Sequence, residues 1–154
     1  MNVMVINSPL GPIRLEEEDG FLTACLWGGA KGDATAPSPT LERAAGQLAE
    51  YLEGRRTAFD VPLRPRGTPF QEAVWQALTT IPYGATWSYR ELAAAVGSPG
   101  AARAAGTANA RNPLSIFIPC HRVIRATGQV GGYGGGTPAK EHLLALEAAN
   151  APHR

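Results

Sequence analysis

Residues 116–124 read IFIPCHRVI, a cysteine set between a proline and a histidine inside a run of strand-forming apolar residues. A thiolate is a nucleophile and an imidazole a base near neutral pH, so Cys120 beside His121 points to nucleophilic chemistry. Strand geometry works against the pair, because consecutive side chains of an extended chain point to opposite faces. Pro119 offers a way out: it cannot donate a ladder hydrogen bond, so the strand is expected to end or bulge there, with the following amides freed to face a pocket. His121 and Arg122 also put basic groups beside the sulfur, a setting that favours thiolate. The competing reading is a small buried hydrophobe, the commoner role of a lone cysteine in a strand. His142 and His153 fall on a closing helix and in the C-terminal tail, contexts unlike that of a general base. His121 therefore reaches the sulfur only around a sharp backbone turn or through a bridging water, with a carboxylate to orient its other ring nitrogen.

The chain of 154 residues is long enough for one ordinary domain or two small ones, and 44% hydrophobic with 18% charged residues describes a globular protein. Its only cysteines, Cys25 and Cys120, lie far apart with no partner at metal-ligand spacing. Neither a disulfide framework nor a zinc site is expected, and no metal or cofactor is called for. A reducing compartment and a reduced thiol follow. No basic segment followed by an apolar run opens the chain, and no stretch approaches the roughly 20 apolar residues of a membrane span. A cytoplasmic protein without a membrane partner is expected. Net charge is +1. Seven basic residues face nine acidic ones up to Arg66 (−2) and seven face four beyond it (+3), a weak asymmetry by which the second part tolerates phosphates better.

The elements that must position Cys120 divide at about residue 66. The first part has short apolar runs broken by SPLGP and EDG, the punctuation of hairpins, and reads as a small antiparallel sheet. A surface loop, GGAKGDATAPSPT, leads to a helix that puts Leu41, Ala45, Leu48 and Leu52 on one face and stops at Gly54. A short strand and a Pro/Arg-rich linker follow. The second part is mainly helical. Thr68 caps a helix with Pro69 in its first turn and an apolar stripe of Phe70, Val74, Ala77 and Leu78. Ser88 and Glu91 stand in capping-box spacing at the start of the next helix, which stops at Gly97. Another helix follows, with Ser98 as its expected cap and Pro113 as its stop, and the two fit a helix-turn-helix with Arg103 near the start of the second helix. The expected fold is thus α+β: residues 1–66 form a sheet-plus-helix domain with a linker, and residues 67–154 a mainly helical domain with a helix-turn-helix and a short strand bearing the cysteine. A glycine-dense loop, RATGQVGGYGGG, carries Tyr133 as a stacking surface, and a last helix faces Leu143, Leu144 and Leu146 inward with Glu147 near its end.

NPLSIFIPCHRVI, preceded by GAARAAGTANAR and followed by GQVGGYGGG, closely resembles the O6-alkylguanine-DNA alkyltransferases. The match extends through GTPFQEAVWQAL, IPYG and SYRELAAAVG to KEHLLALE, nearly all of residues 67–148, and the Pro-Cys-His-Arg-Val core is highly specific. SPLGPIRL is similar to the family's opening hairpin. The resemblance implies direct-reversal repair: Cys120 takes the alkyl group from O6 of a guanine flipped out of double-stranded DNA, with O4-alkylthymine as a further expected substrate, and each molecule acts once. It also implies roles. His121 acts as base through a water, Glu147 orients it, and Tyr89 donates a hydrogen bond to the purine and helps to rotate its phosphate. Arg103 fills the vacated space from the minor groove, with Ala102 and Ser98 beside it toward the DNA. Asn112 ties the recognition helix to the cysteine turn. Tyr133 lines the base pocket, and main-chain groups at Cys120 and Val123 read the guanine edge. Each role has a plainer rival: packing for Tyr89, a solvated helix charge for Arg103 or Glu147, a turn residue for Asn112. Some relatives have a serine that contacts O6 after the pocket tyrosine. Gly134 stands there instead, so that contact falls to backbone or is missing. Some relatives bind zinc in their N-terminal domain, but Cys25 has no visible ligand set. Relatives that only recognise damage replace the cysteine, so Cys120 argues against that class. A monomer is expected, with cooperation along DNA left open.

Overall fold

A computed structural model of the chain describes residues 1–28 and 34–151. Residues 29–33 of the expected surface loop, and His153, lie outside the described residues. Two compact units emerge, Met1–Arg66 with Pro113–Phe117, and Gly67–Asn112 with Ile118–Arg154.

The first unit is a three-stranded antiparallel sheet, β1 (Asn2–Ser8), β2 (Gly11–Glu18) and β3 (Phe21–Trp27), in the order β1-β2-β3, with helix α1 (Pro39–Leu52). Asp19 and Gly20 close the second hairpin with φ values of 54° and 83°, the left-handed pair that a two-residue turn needs to match strand twist. Alternation along β2 turns Ile13 and Leu15 inward, where they join Val3, Leu22, Leu41, Ala44, Leu48 and Tyr51. Fully burying each of these leucines contributes about 1.5–3 kcal/mol. Helix α1 begins at Pro39, two residues before the apolar stripe, because Ser38 Oγ accepts the N–H of Leu41.

Cys25 belongs to this core. Its N–H donates to the Pro113 carbonyl at 2.8 Å, pairing the 113–117 segment with β3 at Leu114. Residues 62–64 pair with β3 at Leu22 in the same parallel sense. Ile116 has φ of +74°, a position where a β-branched side chain carries strain of about 1–3 kcal/mol.

The second unit contains α2 (Pro69–Leu78), a parallel pair of two-residue strands β4 (Trp87–Ser88) and β5 (Val123–Ile124), α3 (Tyr89–Ala95), α4 (Ala102–Ala110) and α5 (Thr137–Asn150). Capping boxes start α2 at Thr68 with Gln71 and α3 at Ser88 with Glu91. Helix α4 does not start as expected. Its N-cap is Ala101, with no side-chain cap; Ser98 lies in the preceding turn and its carbonyl takes the N–H of Ala101 at 2.8 Å. The Ser-Pro-Gly sequence builds that turn before helical dihedrals can begin. Helix α5 also differs: Ala139, Lys140, Leu143 and Glu147 face inward, whereas Leu144 and Leu146 are half-exposed. A stripe at i, i+3 and i+7 takes up the whole inner face of a lone packed helix.

Trp75, next to the expected stripe of α2, joins Val74 and Leu78 in the core, and its Nε1–H donates to the Ala108 carbonyl at 2.8 Å, tying α2 to α4. Trp75→Phe should therefore lower unfolding free energy by about 1–3 kcal/mol in urea titrations. An unchanged midpoint would show that the α2–α4 contact does not depend on this bond.

Candidate functional site

Pro119 has φ −80° and ψ 64°, the dihedrals of an inverse γ-turn, and the Cys120 N–H closes that turn onto the Ile118 carbonyl at 2.8 Å. A 3-10 turn, Cys120–Arg122, follows and runs into β5, so the cysteine lies just ahead of the short strand. The proline does break the extended chain. It does not free the amides, however: Arg122 N–H donates to the Pro119 carbonyl and Val123 N–H to the Cys120 carbonyl. Turn formation consumes these donors.

Because the turn replaces the pleat, His121 and Arg122 reach the same carboxylate. His121 Nε2–H donates to Glu147 Oε2 at 2.8 Å. Arg122 donates Nε–H to Oε1 and Nη2–H to Oε2, each at 2.8 Å, and Nη1–H to the Ile81 carbonyl at 2.6 Å. Its guanidinium also lies 5.6 Å from the Tyr83 ring centre. His121 and Glu147 are buried, at 0% and 1% exposure, which disposes of the solvated-charge reading of Glu147. Burial alone would push its carboxyl pKa up, but the hydrogen bonds from His121 and Arg122 bring it down to about 2. Burial holds the His121 imidazole below its usual range, against the pull of Glu147 and with help from Arg122 and Lys140. The ring is thus neutral with its proton on Nε2, which makes Nδ1 the basic nitrogen.

Helix α4 grips the turn from another side. Asn112 Nδ2–H donates to the Ile118 carbonyl at 2.8 Å, and Asn109, one helical turn earlier, donates to the Cys120 carbonyl at 3.4 Å. Cys120 itself is 6% exposed, so only a small part of its surface is open to a reactant. The Tyr133 ring stands edge-on to His121, 6.4 Å between centres. Val123 is buried, and Gly134 is exposed in the adjoining loop. Lys140 is fully buried, and its Nζ donates to the carbonyls of Val123 (2.6 Å) and Gly132 (3.3 Å), stitching β5 to the glycine-rich loop. Burial lowers its pKa to about 8. Tyr89 is half-buried, its phenol pKa raised by burial and opposed by the charge of Arg125. Its ring packs on Gly106 of α4, where a Cβ would lie 3.2 Å from Cδ1.

Cys120, His121, Glu147, Asn112, Val123 and Tyr133 therefore meet at the turn. Arg103, exposed on the first turn of α4, lines an open groove with Phe70, Gln71 and Ala104. Half-exposed Ala102 and Ser98 lie at or just before the start of α4 and contribute no contact to the turn among those described. Sequence reasoning missed Asn109, Lys140 and the bidentate role of Arg122. Only Asn109 carried a signal, its i, i+3 spacing to Asn112.

The layout is that of a helix-turn-helix protein whose second helix holds the turn around a nearly buried thiol in place. A family model described as 6-O-methylguanine DNA methyltransferase, DNA binding domain, matches residues 69–149, and one described as the ribonuclease-like domain matches residues 1–65. The methylated-DNA--protein-cysteine methyltransferase of Mycobacterium tuberculosis is 47% identical over 152 residues, covering 96% of this chain and 92% of its own. The constitutive one of Bacillus subtilis is 45% identical over 150 residues, with 91% of each chain covered. The crystal structure of Mycobacterium tuberculosis OGT in complex with DNA superposes with a TM-score of 0.89 at 48% identity, covering 99% of this chain and 96% of that one. The chain belongs to the 6-O-methylguanine DNA methyltransferase family.

The depressed pKa values of His121 and Glu147 set a pH dependence on the acid side. Below 6.5 the unfolded chain protonates His121 while the native one does not, so stability present above that pH is lost as pH falls. Glu147 adds a second loss between 4.5 and about 2, where only the unfolded carboxylate takes up a proton. Urea midpoints measured against pH should fall from about 6.5 downward, and His121→Asn should flatten the first part of that fall. An unaltered slope just below 6.5 would mean that the buried imidazole is not its source.

Proposed function

We propose that the chain is a direct-reversal DNA repair protein that moves the alkyl group of O6-alkylguanine in double-stranded DNA onto Cys120. The observation that supports this most is the nearly buried thiol beside a neutral imidazole whose far nitrogen is fixed by a buried carboxylate. The proton on the sulfur passes through a water to His121 Nδ1. The thiolate attacks the alkyl carbon, the S–C bond forms as C–O6 breaks, and the guanine keeps the electron pair. Protons and electrons balance without a cofactor. A thioether has no easy route back to thiolate, so each molecule acts once. O4-alkylthymine in DNA would undergo the same displacement.

Other residues serve this reaction. A raised pKa keeps Tyr89 protonated as a donor to the leaving purine. Main-chain groups at Cys120 and Val123 meet the guanine edge, the Cys120 carbonyl exchanging its long bond from Asn109 at 3.4 Å for the exocyclic N–H₂ of the base. Tyr133 forms a wall of the base pocket. Asn112, with Asn109, holds the nucleophile on the recognition helix. Arg103, with Ala102 and Ser98 beside it, faces the duplex and fills the gap left by the extruded base. The protein works as a monomer in the cytoplasm, where its thiol stays reduced.

Duplex DNA carrying radiolabelled O6-methylguanine should transfer its label to Cys120, one per molecule, while Cys120→Ala binds the duplex and transfers nothing. Label that stays on tightly bound DNA would defeat this reading in favour of a non-catalytic lesion binder. Arg103→Ala should slow repair of the duplex by about tenfold, since extrusion costs a few kcal/mol and 1.4 kcal/mol is tenfold. Reaction with free O6-benzylguanine should change little. Equal losses on both substrates would refute the space-filling role.

A further inference from the structure

Tyr89 lies in a slot between two glycines, and the second of them brings a new residue to the site. A Cβ on Gly131, whose φ is +80°, would lie 3.2 Å from Tyr89 Oη and 3.7 Å from both Cγ and Nε of Arg125. A hydroxyl and a guanidinium stem thus approach the same point, left open by a missing side chain. The Arg125 backbone is pinned directly after β5: its N–H donates to the Gln129 carbonyl at 2.9 Å and its carbonyl accepts the Gly128 N–H at 2.8 Å. The side chain is exposed and its guanidinium enters no ion pair among the described residues. Its charge is felt at Tyr89, where it opposes the effect of burial on the phenol.

An exposed guanidinium beside a hydroxyl donor suits one ligand chemistry above others, an oxyanion held by a charge-assisted hydrogen bond and a neutral one. On the other flank Arg125 lines a groove with Gln129, Thr137 and Glu141, which Tyr89 does not line. The carboxylate there disfavours an anion, so the Tyr89 side is the better one. A nucleotide turned out of a duplex carries its backbone phosphate around with it, and that phosphate is the oxyanion delivered at the mouth of the site.

We propose that Arg125 is a positioning residue that holds a backbone phosphate of the nucleotide turned toward Cys120, with Tyr89 Oη meeting that phosphate only while the nucleotide turns, before its one O–H passes to the purine. The inference rests on the alkyl-transfer reading of Cys120. Its test compares wild type, Arg125→Met and Arg125→Lys on duplex DNA containing O6-methylguanine across a salt series, and on free O6-benzylguanine, which has no phosphate. For Arg125→Met, duplex affinity should fall about fivefold at 0.15 M salt, and the slope of log K against log salt should become shallower by about 0.9. Arg125→Lys should recover most of both, and the rate with O6-benzylguanine should be unchanged. Unaltered affinity and slope would overturn the proposal. So would equal losses on the two substrates, which would assign Arg125 to the pocket rather than to a phosphate. If wild type alkylates Cys120 from neither substrate, the alkyl-transfer reading fails, while the salt slope still decides separately whether Arg125 meets a phosphate.

Discussion

The second unit is organised around one buried carboxylate. Glu147 is removed from water, and an uncompensated charge there would cost several kcal/mol, so it must collect donors. It finds them on two consecutive residues, His121 and Arg122. That is possible only because the chain turns at Pro119; in a pleated strand the two side chains would face opposite ways. The carboxylate therefore depends on the turn, and the turn carries the cysteine. Arg122 extends the same tie to the Ile81 carbonyl beyond α2, so the end of α2, α5 and the cysteine turn are linked through one side chain.

Burial above all, with help from Arg122 and Lys140, sets the protonation of His121. A histidine facing a lone buried carboxylate would be drawn toward imidazolium, and an imidazolium cannot accept the proton of a thiol. Here the bidentate guanidinium already neutralises Glu147, and burial together with the charges of Arg122 and Lys140 outweighs what attraction remains. The imidazole stays neutral, fixed as the Nε2–H tautomer, with Nδ1 as its basic atom. In the proposed reaction the proton taken from Cys120 turns the ring into a cation, and its Nε2–H bond to Glu147, then charge-assisted, steadies it.

Features set by local pattern were legible in the sequence. The capping boxes at Thr68 and Ser88, the hairpins, the break at Pro119 and the Cys-His-Glu set each depend on a few neighbouring residues or on a specific motif. The misread features depend on what is packed against them. Ser98 has the type of a cap, but Pro99 and Gly100 commit the backbone to a turn first. Leu144 and Leu146 are apolar, yet α5 turns Lys140 and Glu147 inward, because buried polar partners outrank hydrophobicity when they complete a hydrogen-bond network. A fully buried lysine is invisible to composition: its justification is two carbonyls, on β5 and on a loop, that only the tertiary fold brings together. The amides of Cys120, Arg122 and Val123 looked available because a broken strand releases donors, but a γ-turn and a 3-10 turn take them up at once.

In the proposed reaction, helix α4 joins recognition to chemistry. Its outward face presents Arg103, Gly106 supports the ring of Tyr89, and its end sends Asn109 and Asn112 to the carbonyls of Cys120 and Ile118. The helix proposed to lie on DNA is thus bonded directly to the turn that carries the nucleophile, with no intervening loop to absorb displacement. A helix of nine residues spans roughly 14 Å at 1.5 Å per residue, so Arg103 and the asparagines hold opposite ends of a rigid spacer. Motion of the thiol would not bring the two together. In the proposed reaction the substrate therefore does the moving, and extrusion of the base into a fixed site is what such a spacer permits.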